Sequence, residues 1–331
     1  MSSSNISPHI NPAAHPPSVA PTHHPGFAGT LSVRQQHRFE QDGYLVLPQF
    51  CPAAEVAWLR ATLAHLFAAH IGREQGSQFD MLGPDLDTTG VRQPQILKPA
   101  QFVPELMSSS FVTRTTRIAR QLLGAGARLS FDHSILKPAG SASATPWHQD
   151  EAHQTSRFLR YPQISCWLAL QDTALENGCM CYVPGSHRGL LLPHRRINDD
   201  PRIHAIECPT CYFDAAAAVT APVTAGACIL HSALTLHAAL PNLSRQDRIA
   251  YVVAFTGPPV PVTRGTTRLW MARGSTANRQ RRRRWLLRGG CVPALTGALL
   301  RASRASPRAF WLKLLALWRG AFQGKWSPRI R

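Results

Sequence analysis

The segment TPWHQDEAHQ, Thr145 to Gln154, sets an imidazole and a carboxylate two positions apart, at His148 and Asp150. On an extended strand, side chains i and i+2 point to the same side. Both groups then face one point, and Gln149 faces away. A neutral imidazole and a carboxylate make up two thirds of a 2-His-1-carboxylate set, which binds Fe(II) and leaves coordination positions open. The triplet alone carries little weight. With 15 His and 18 acidic residues in 331, His-x-Asp/Glu arises by chance about 0.8 times in such a chain. A third ligand must come from a distant strand. The segment AGACILHSALTLHAALPNLSRQDR, starting at Ala225, offers His231 and His237, and spacing alone leaves both open.

The neighbouring segments are more specific. ILKPAGSASATPWHQD, ISCWLALQDTALENGCMCYVPGSH and AGACILHSALTLHAALPNLSRQDR occur in that order. Together they resemble the successive motifs of the phytanoyl-CoA dioxygenase family of Fe(II)- and 2-oxoglutarate-dependent oxygenases. FEQDGYLVLPQF, from Phe39, is similar to the family's N-terminal strand. The resemblance covers roughly residues 31–257. It implies a double-stranded β-helix and identifies His148, Asp150 and His237 as the metal ligands. His237 is favoured over His231 because Asn242, Ser244 and Arg248 follow it at the family's offsets. Arg248 matches the residue that pairs with the distal carboxylate of 2-oxoglutarate, a task that suits a planar guanidinium fork. Lys137 and Trp167 match residues near the cosubstrate pocket.

The implied reaction consumes 2-oxoglutarate and O2, yields succinate and CO2, and hydroxylates an unactivated aliphatic C–H of a small molecule. Related halogenases carry a small residue where Asp150 stands, so hydroxylation is expected. One departure is Ala239, where a small hydroxyl residue commonly sits two positions after the distal His. One hydrogen bond to the cosubstrate, worth about 1 kcal/mol, is expected to be missing.

Certain elements must position these groups. Pro52 to Ala69 has apolar residues at helical spacing (Val56, Leu59, Leu63, Leu66), and Phe111 to Leu123 reads as another helix ending at Gly124. Residues 72–104 are loop-like, and loops of that length are often lids. Period-two stretches follow at 128–137, 163–170, 179–183, 219–223, 227–231 and 248–255. Helices first and strands after predict an α+β fold with a jelly-roll, cupin-like core and flanking N-terminal helices. The insertion from Ser186 to Ala218, with His187, Arg188, His194, Arg195 and Arg196, reads as a basic loop near the site. Glu151, His153, Arg157 and Tyr161 fall at the edge of the expected substrate pocket.

Charge divides the chain. Residues 273–331 hold 15 Lys and Arg and no acid, whereas residues 1–272 hold 21 basic and 18 acidic residues, a net of +3. The body is near neutral, so the overall charge of +18 does not indicate a nucleic-acid-binding fold, and no specific nucleic-acid partner is expected. Three regions are expected: a Pro- and His-rich disordered stretch over 1–30, an oxygenase domain over 31–260, and a basic tail over 261–331. Phe310, Leu314, Leu317 and Ala321 fall at helical spacing in that tail, a pattern suited to an anionic membrane surface.

No run reaches the length of an apolar membrane span, and the N-terminus lacks the basic and apolar regions of a secretory signal. Eight cysteines are too sparse for a disulfide scaffold, so the cytoplasm is expected. Cys179/Cys181 and Cys208/Cys211 have zinc-like spacing but read as core and loop residues. Oligomeric state has no signature in these patterns. The competing class is an inactive cupin-like binding protein directed to membrane or nucleic acid by its tail. The intact set of His148, Asp150, His237 and Arg248 favours the enzyme.

Overall fold

The computed structural model describes residues 29–86, 90–154, 156, 158–262, 268, 270, 275–288 and 290. The expected disordered N-terminus and the aromatic stretch from Phe310 to Ala321 lie outside these residues, as does Arg157. Contacts divide the chain into two units, Met1–Gln280 and Arg281–Arg331.

Three helices come early. Helix α1 (Val33–Asp42) opens on a capping box between Ser32 and Gln35 and stops at Gly43, whose φ of 78° is left-handed. Strand β1 (Tyr44–Leu47) follows, then α2 (Ala53–Ala68), β2 (Gln78–Asp80) and β3 (Pro94–Leu97). Helix α3 (Ser110–Leu123) is capped by the Ser109 hydroxyl, which accepts from Val112 N–H. The β core contains β4 (Arg128–Lys137), β5 (Thr145–His148), β6 (Leu159–Arg160), β7 (Gln163–Ala169), β8 (Met180–Tyr182), β9 (Arg195–Arg196) and β10 (Ile206–Glu207). It continues through β11 (Val219–Ala221), β12 (Cys228–Ser232), β13 (His237–Ala239), β14 (Arg248–Thr256) and β15 (Val260–Pro261). Helix α4 spans Ala277–Leu287.

Two antiparallel sheets face each other. The larger has the order β1-β12-β7-β14-β4-β3-β2 and the smaller β11-β8-β13-β5. This is the expected α+β jelly-roll, with the N-terminal helices on the outer face of the larger sheet. Strand alternation explains the arrangement. Ile249, Tyr251, Val253 and Phe255 of β14 join Leu59, Leu63, Phe111 and Ile118 of the helices in one core. Ala250 and Val252 point the other way and join Trp167, Ile229, Met180, Tyr182 and Ala239 between the sheets. Burial on both faces makes β14 a continuous apolar run. Each large apolar side chain so buried contributes about 1.5–3 kcal/mol.

The structure differs from the sequence reading in three places. The 72–104 region is not all loop, because β2 and β3 extend the larger sheet within it. Their polar residues kept the strand pattern weak: Gln95 and Gln78 are buried. Strand β13 has only three residues, too few for periodicity to register. Asp150 lies just beyond β5, at the first position of a short 3-10 turn. Gln149 between them remains extended, with φ −115° and ψ 129°, so the i, i+2 relation survives.

Candidate metal centre and cosubstrate pocket

Strand pairing brings the two distant motifs together. In the β13–β5 ladder His237 is the direct partner of His148, and a register shift follows between His237 and Ala239. Their rings lie 4.2 Å apart, centroid to centroid. His148 Nδ1 is 2.8 Å from Pro146 O, and His237 Nδ1 is 2.9 Å from Thr235 O. A carbonyl only accepts, so each Nδ1 carries the proton and each Nε2 presents a lone pair. Those Nε2 atoms lie 3.7 and 3.6 Å from Asp150 Oδ1, too far for hydrogen bonds. The three donor atoms lie within 4.8 Å of one another.

The other carboxylate oxygen is held from the opposite sheet. Ser165 Oγ donates to Asp150 Oδ2 at 2.6 Å, and His231 Nε2 lies 3.2 Å from the same atom. Ser165 and His231 are cross-strand partners on β7 and β12. His231, one of the two candidates for the distal ligand, therefore braces the carboxylate, whereas His237 joins the donor cluster. Gln149 faces away as expected, donating to Leu234 O at 2.7 Å and accepting from Leu192 N–H at 2.8 Å.

Electrostatics match this arrangement. Burial, with His148 and His231 nearby, pushes the His237 imidazole well below its usual range. Burial likewise lowers His148. Burial opposes ionisation of Asp150, but His237 and His231 outweigh it and hold the carboxyl well below 3.8. Two neutral imidazoles and an ionised carboxylate form a donor set suited to Fe(II).

Deeper between the sheets, Arg248 of β14 is the direct partner of Lys137 of β4. Both side chains are almost fully buried. Arg248 Nη2 donates to Gly178 O at 3.0 Å, while Nε and Nη1 have no partner. Trp167 lies alongside, 5.6 Å from the guanidinium carbon to the ring centroid, and its Nε1 is also unpartnered. Three buried donors without acceptors beside the Lys137 amine form a site for a carboxylate. The Glu176-Asn-Gly turn has a specific task here. Gly178 has φ 88°, and a Cβ there would lie 2.8 Å from Leu240 O. Asn242 Nδ2 donates to Lys137 O at 2.9 Å and to Gln246 O at 2.8 Å, which secures the turn into β14.

Lys137 Nζ donates to Gln93 Oε1 at 3.1 Å and Ser143 O at 3.0 Å. Burial and the Arg248 charge lower its pKa from 10.5 to about 6. Between those values the unfolded chain holds a proton that the folded chain lacks, so this group makes stability rise with pH. Without 2-oxoglutarate, thermal unfolding of the wild type between about pH 7 and pH 9 is expected to gain up to about 1 kcal/mol per pH unit relative to Lys137→Met. Parallel stability profiles for the two proteins would show that Lys137 stays charged.

The His153 ring lies 6.3 Å from that of His148. His153 is exposed, yet burial takes its pKa down to about 4. His133 of β4 is close enough to Asp150 to interact with its charge. Glu151 is buried and Tyr161 half-buried at the expected edge. Sequence reading missed Ser165, His133 and His204. Ser165 was open to inference, since it shares a strand face with Trp167; the other two carry no local signal.

Among the described residues, Cys208 is buried and Cys211 exposed, and the one clustered His/Cys/Asp/Glu donor set is His148, Asp150 and His237.

Comparison with known proteins agrees with this geometry. The chain is similar to EvdO2 from Micromonospora carbonacea var. aurantiaca, solved with 2-oxoglutarate: 34% identity over 74% of this chain and 98% of that one, TM-score 0.63. It is 27% identical over 241 residues to a probable alpha-ketoglutarate-dependent hypophosphite dioxygenase of Stutzerimonas stutzeri, covering 69% of this chain and 81% of the relative. Phytanoyl-CoA dioxygenase 1 of Oryza sativa subsp. japonica is 26% identical over 254 residues, 67% of this chain and 88% of the relative. The profile of the phytanoyl-CoA dioxygenase (PhyH) family matches residues 39–250, most of the β core and both donor groups, and the chain belongs to that family of Fe(II)- and 2-oxoglutarate-dependent oxygenases.

Proposed function

We propose that His148 and His237, through Nε2, and Asp150, through Oδ1, hold the Fe(II), and that Arg248, Lys137 and Trp167 receive the far carboxylate of 2-oxoglutarate. The observation that carries this reading is the pairing of a three-donor cluster with three unpartnered buried donors. The reaction converts R–H, 2-oxoglutarate and O2 to R–OH, succinate and CO2, with a small molecule as substrate. Bound iron supplies the activation of O2, for which no side chain here has the redox chemistry.

The protein's own residues perform the remaining tasks. Pro146 O and Thr235 O fix the two imidazole tautomers, and Ser165 and His231 orient the carboxylate. The Arg248 fork supplies directed charge where water is excluded by Ile229, Met180, Ala250 and Val252. Ala239 offers no hydroxyl, so Arg248 and Lys137 carry more of the cosubstrate's binding. We assign the oxygenase domain to 31–260 and the accessory tail to 261–331, the first part of which reaches the site through Trp270. Seven free cysteines among the described residues support a reducing cytoplasm. Among the same residues no helix is long and apolar enough to cross a membrane.

Anaerobic titration with Fe(II) and 2-oxoglutarate tests this assignment. A weak visible charge-transfer band is expected in the wild type. Ser165→Ala and His231→Leu are expected to weaken iron affinity about tenfold to hundredfold, the usual effect of losing a partner that orients a ligand. Absence of the band in folded wild type contradicts the assignment; unchanged affinity in both variants removes the bracing role.

A further inference from the structure

No step of the oxygenase reaction uses Tyr182 of β8, yet this side chain meets the metal centre twice. It is the direct cross-strand partner of His237, and the two rings are stacked with centroids 6.1 Å apart. Its hydroxyl lies 3.4 Å from His231 Nδ1. Tyr182 is fully buried. It also stacks on Tyr44 of β1, centroids 4.5 Å apart and planes 4° from parallel. Strand β1 is the edge of the larger sheet, and Tyr44 is half-buried there. Three aromatic rings therefore run in succession from the distal donor to the protein surface: His237, Tyr182 and Tyr44.

Resting on the oxygenase reading above, we propose that Tyr182 and Tyr44 form an electron relay. It returns the iron to the ferrous state when 2-oxoglutarate and O2 react with no substrate in place. Conversion of 2-oxoglutarate and O2 to succinate and CO2 leaves one oxygen atom and two oxidising equivalents at the metal. A substrate C–H consumes both. Without one, the relay delivers two electrons in turn and the oxygen leaves as water. Tyr182 gives up an electron, Tyr44 refills Tyr182, and a small reductant of the ascorbate class refills Tyr44 at the surface. The sum balances: 2-oxoglutarate, O2 and ascorbate give succinate, CO2, water and dehydroascorbate.

The hydroxyl's surroundings suit Tyr182 to this task. A phenol that loses an electron becomes a strong acid, so a base must stand at its oxygen. The Asp150 carboxylate only accepts, so His231 Nε2, 3.2 Å from Oδ2, carries that ring's proton. Nδ1 then offers its lone pair to the Tyr182 O–H. The proton moves to Nδ1 as the electron departs and returns when Tyr44 delivers the replacement. In between, the imidazolium faces the Asp150 carboxylate. The relay also has something to protect. Met180 packs in the same cluster as Tyr182, and a thioether oxidises readily to the sulfoxide.

The test needs no substrate. Protein loaded with Fe(II) and 2-oxoglutarate is mixed with O2, freeze-quenched and read by electron paramagnetic resonance. A tyrosyl radical is expected in the wild type without reductant, narrowed by ring-deuterated tyrosine and shortened in lifetime by ascorbate. Tyr182→Phe keeps the ring and loses the O–H, and its radical signal is expected to vanish. In Tyr44→Phe the signal is expected to remain while ascorbate loses its effect on the lifetime. No tyrosyl radical in the wild type, or an unchanged signal in Tyr182→Phe, overturns the proposal. The visible band of the oxygen-free loaded protein is read first. Its absence in the wild type removes the oxygenase assignment and the relay together, whereas its presence without the radical removes the relay alone. If Tyr182→Phe itself lacks the band, Tyr44→Phe decides: an unchanged response to ascorbate overturns the relay.

Discussion

Asp150→Ala is expected to lower turnover by about a thousandfold or more while leaving the protein folded. One oxygen of this carboxylate faces the two imidazoles, and the other is braced by Ser165 and His231. Alanine removes the only anionic donor of the set. The several kcal/mol that a correctly bound metal contributes to the barrier correspond to at least three powers of ten in rate. Asp150→Asn keeps the shape and one acceptor oxygen but loses the charge, so its activity is expected to fall between alanine and wild type. Succinate formation and iron content, measured together, check this. Full iron content with full activity in Asp150→Ala would show that Oδ1 is not a ligand. Loss of thermal cooperativity would instead mark a folding defect, which the asparagine variant helps to separate.

Arg248→Leu is expected to raise the KM for 2-oxoglutarate at least about thirtyfold. Truncating one partner of a buried charge pair typically costs about 2–5 kcal/mol, and each 1.4 kcal/mol is about tenfold. The same substitution is expected to leave the protein without cosubstrate equally stable or about 1 kcal/mol more stable. A guanidinium with Nε and Nη1 unpartnered and its pKa lowered by burial to about 10 is held at a cost, and an apolar side chain removes it. Arg248→Lys is expected to recover only part of the affinity, because an ammonium cannot form the two-pronged contact. Steady-state kinetics against 2-oxoglutarate and thermal unfolding without it give the two readings. An unchanged KM would place the cosubstrate elsewhere. A large loss of stability would mean that the bond to Gly178 O, and not the cosubstrate, is what Arg248 serves.

Much of this site was legible in the chain. His148 and Asp150 stand at i and i+2, and the i, i+2 relation depends only on locally extended backbone. The resemblance of the residues after His237 to the family's motif favoured it over His231 as the distal donor, and in the structure Asn242 ties the backbone of Lys137 to the turn that delivers Arg248. Helices α2 and α3 were legible from apolar period, since their buried faces pack on one sheet. Strands β2 and β3 were not, because Gln78 and Gln95 are polar residues buried for hydrogen bonding, which binary patterning reads as surface.

By itself, the sequence determined which chemistry was available: two imidazoles, a carboxylate and a guanidinium, each on a segment whose local period fixes the direction of its side chain. Only the tertiary structure decided how these groups divide their tasks. His231 and His237 are six positions apart on neighbouring segments of similar composition. They differ because β12 lies in the larger sheet and β13 in the smaller, so one ring reaches the outer oxygen of Asp150 and the other the inner. The meeting of the two long loops depends on pairing in the same way. Phe79, His153, His204 and Trp270 are spread over nearly 200 positions and meet because loops are positioned by the scaffold that anchors them. Local period does not encode that kind of closeness.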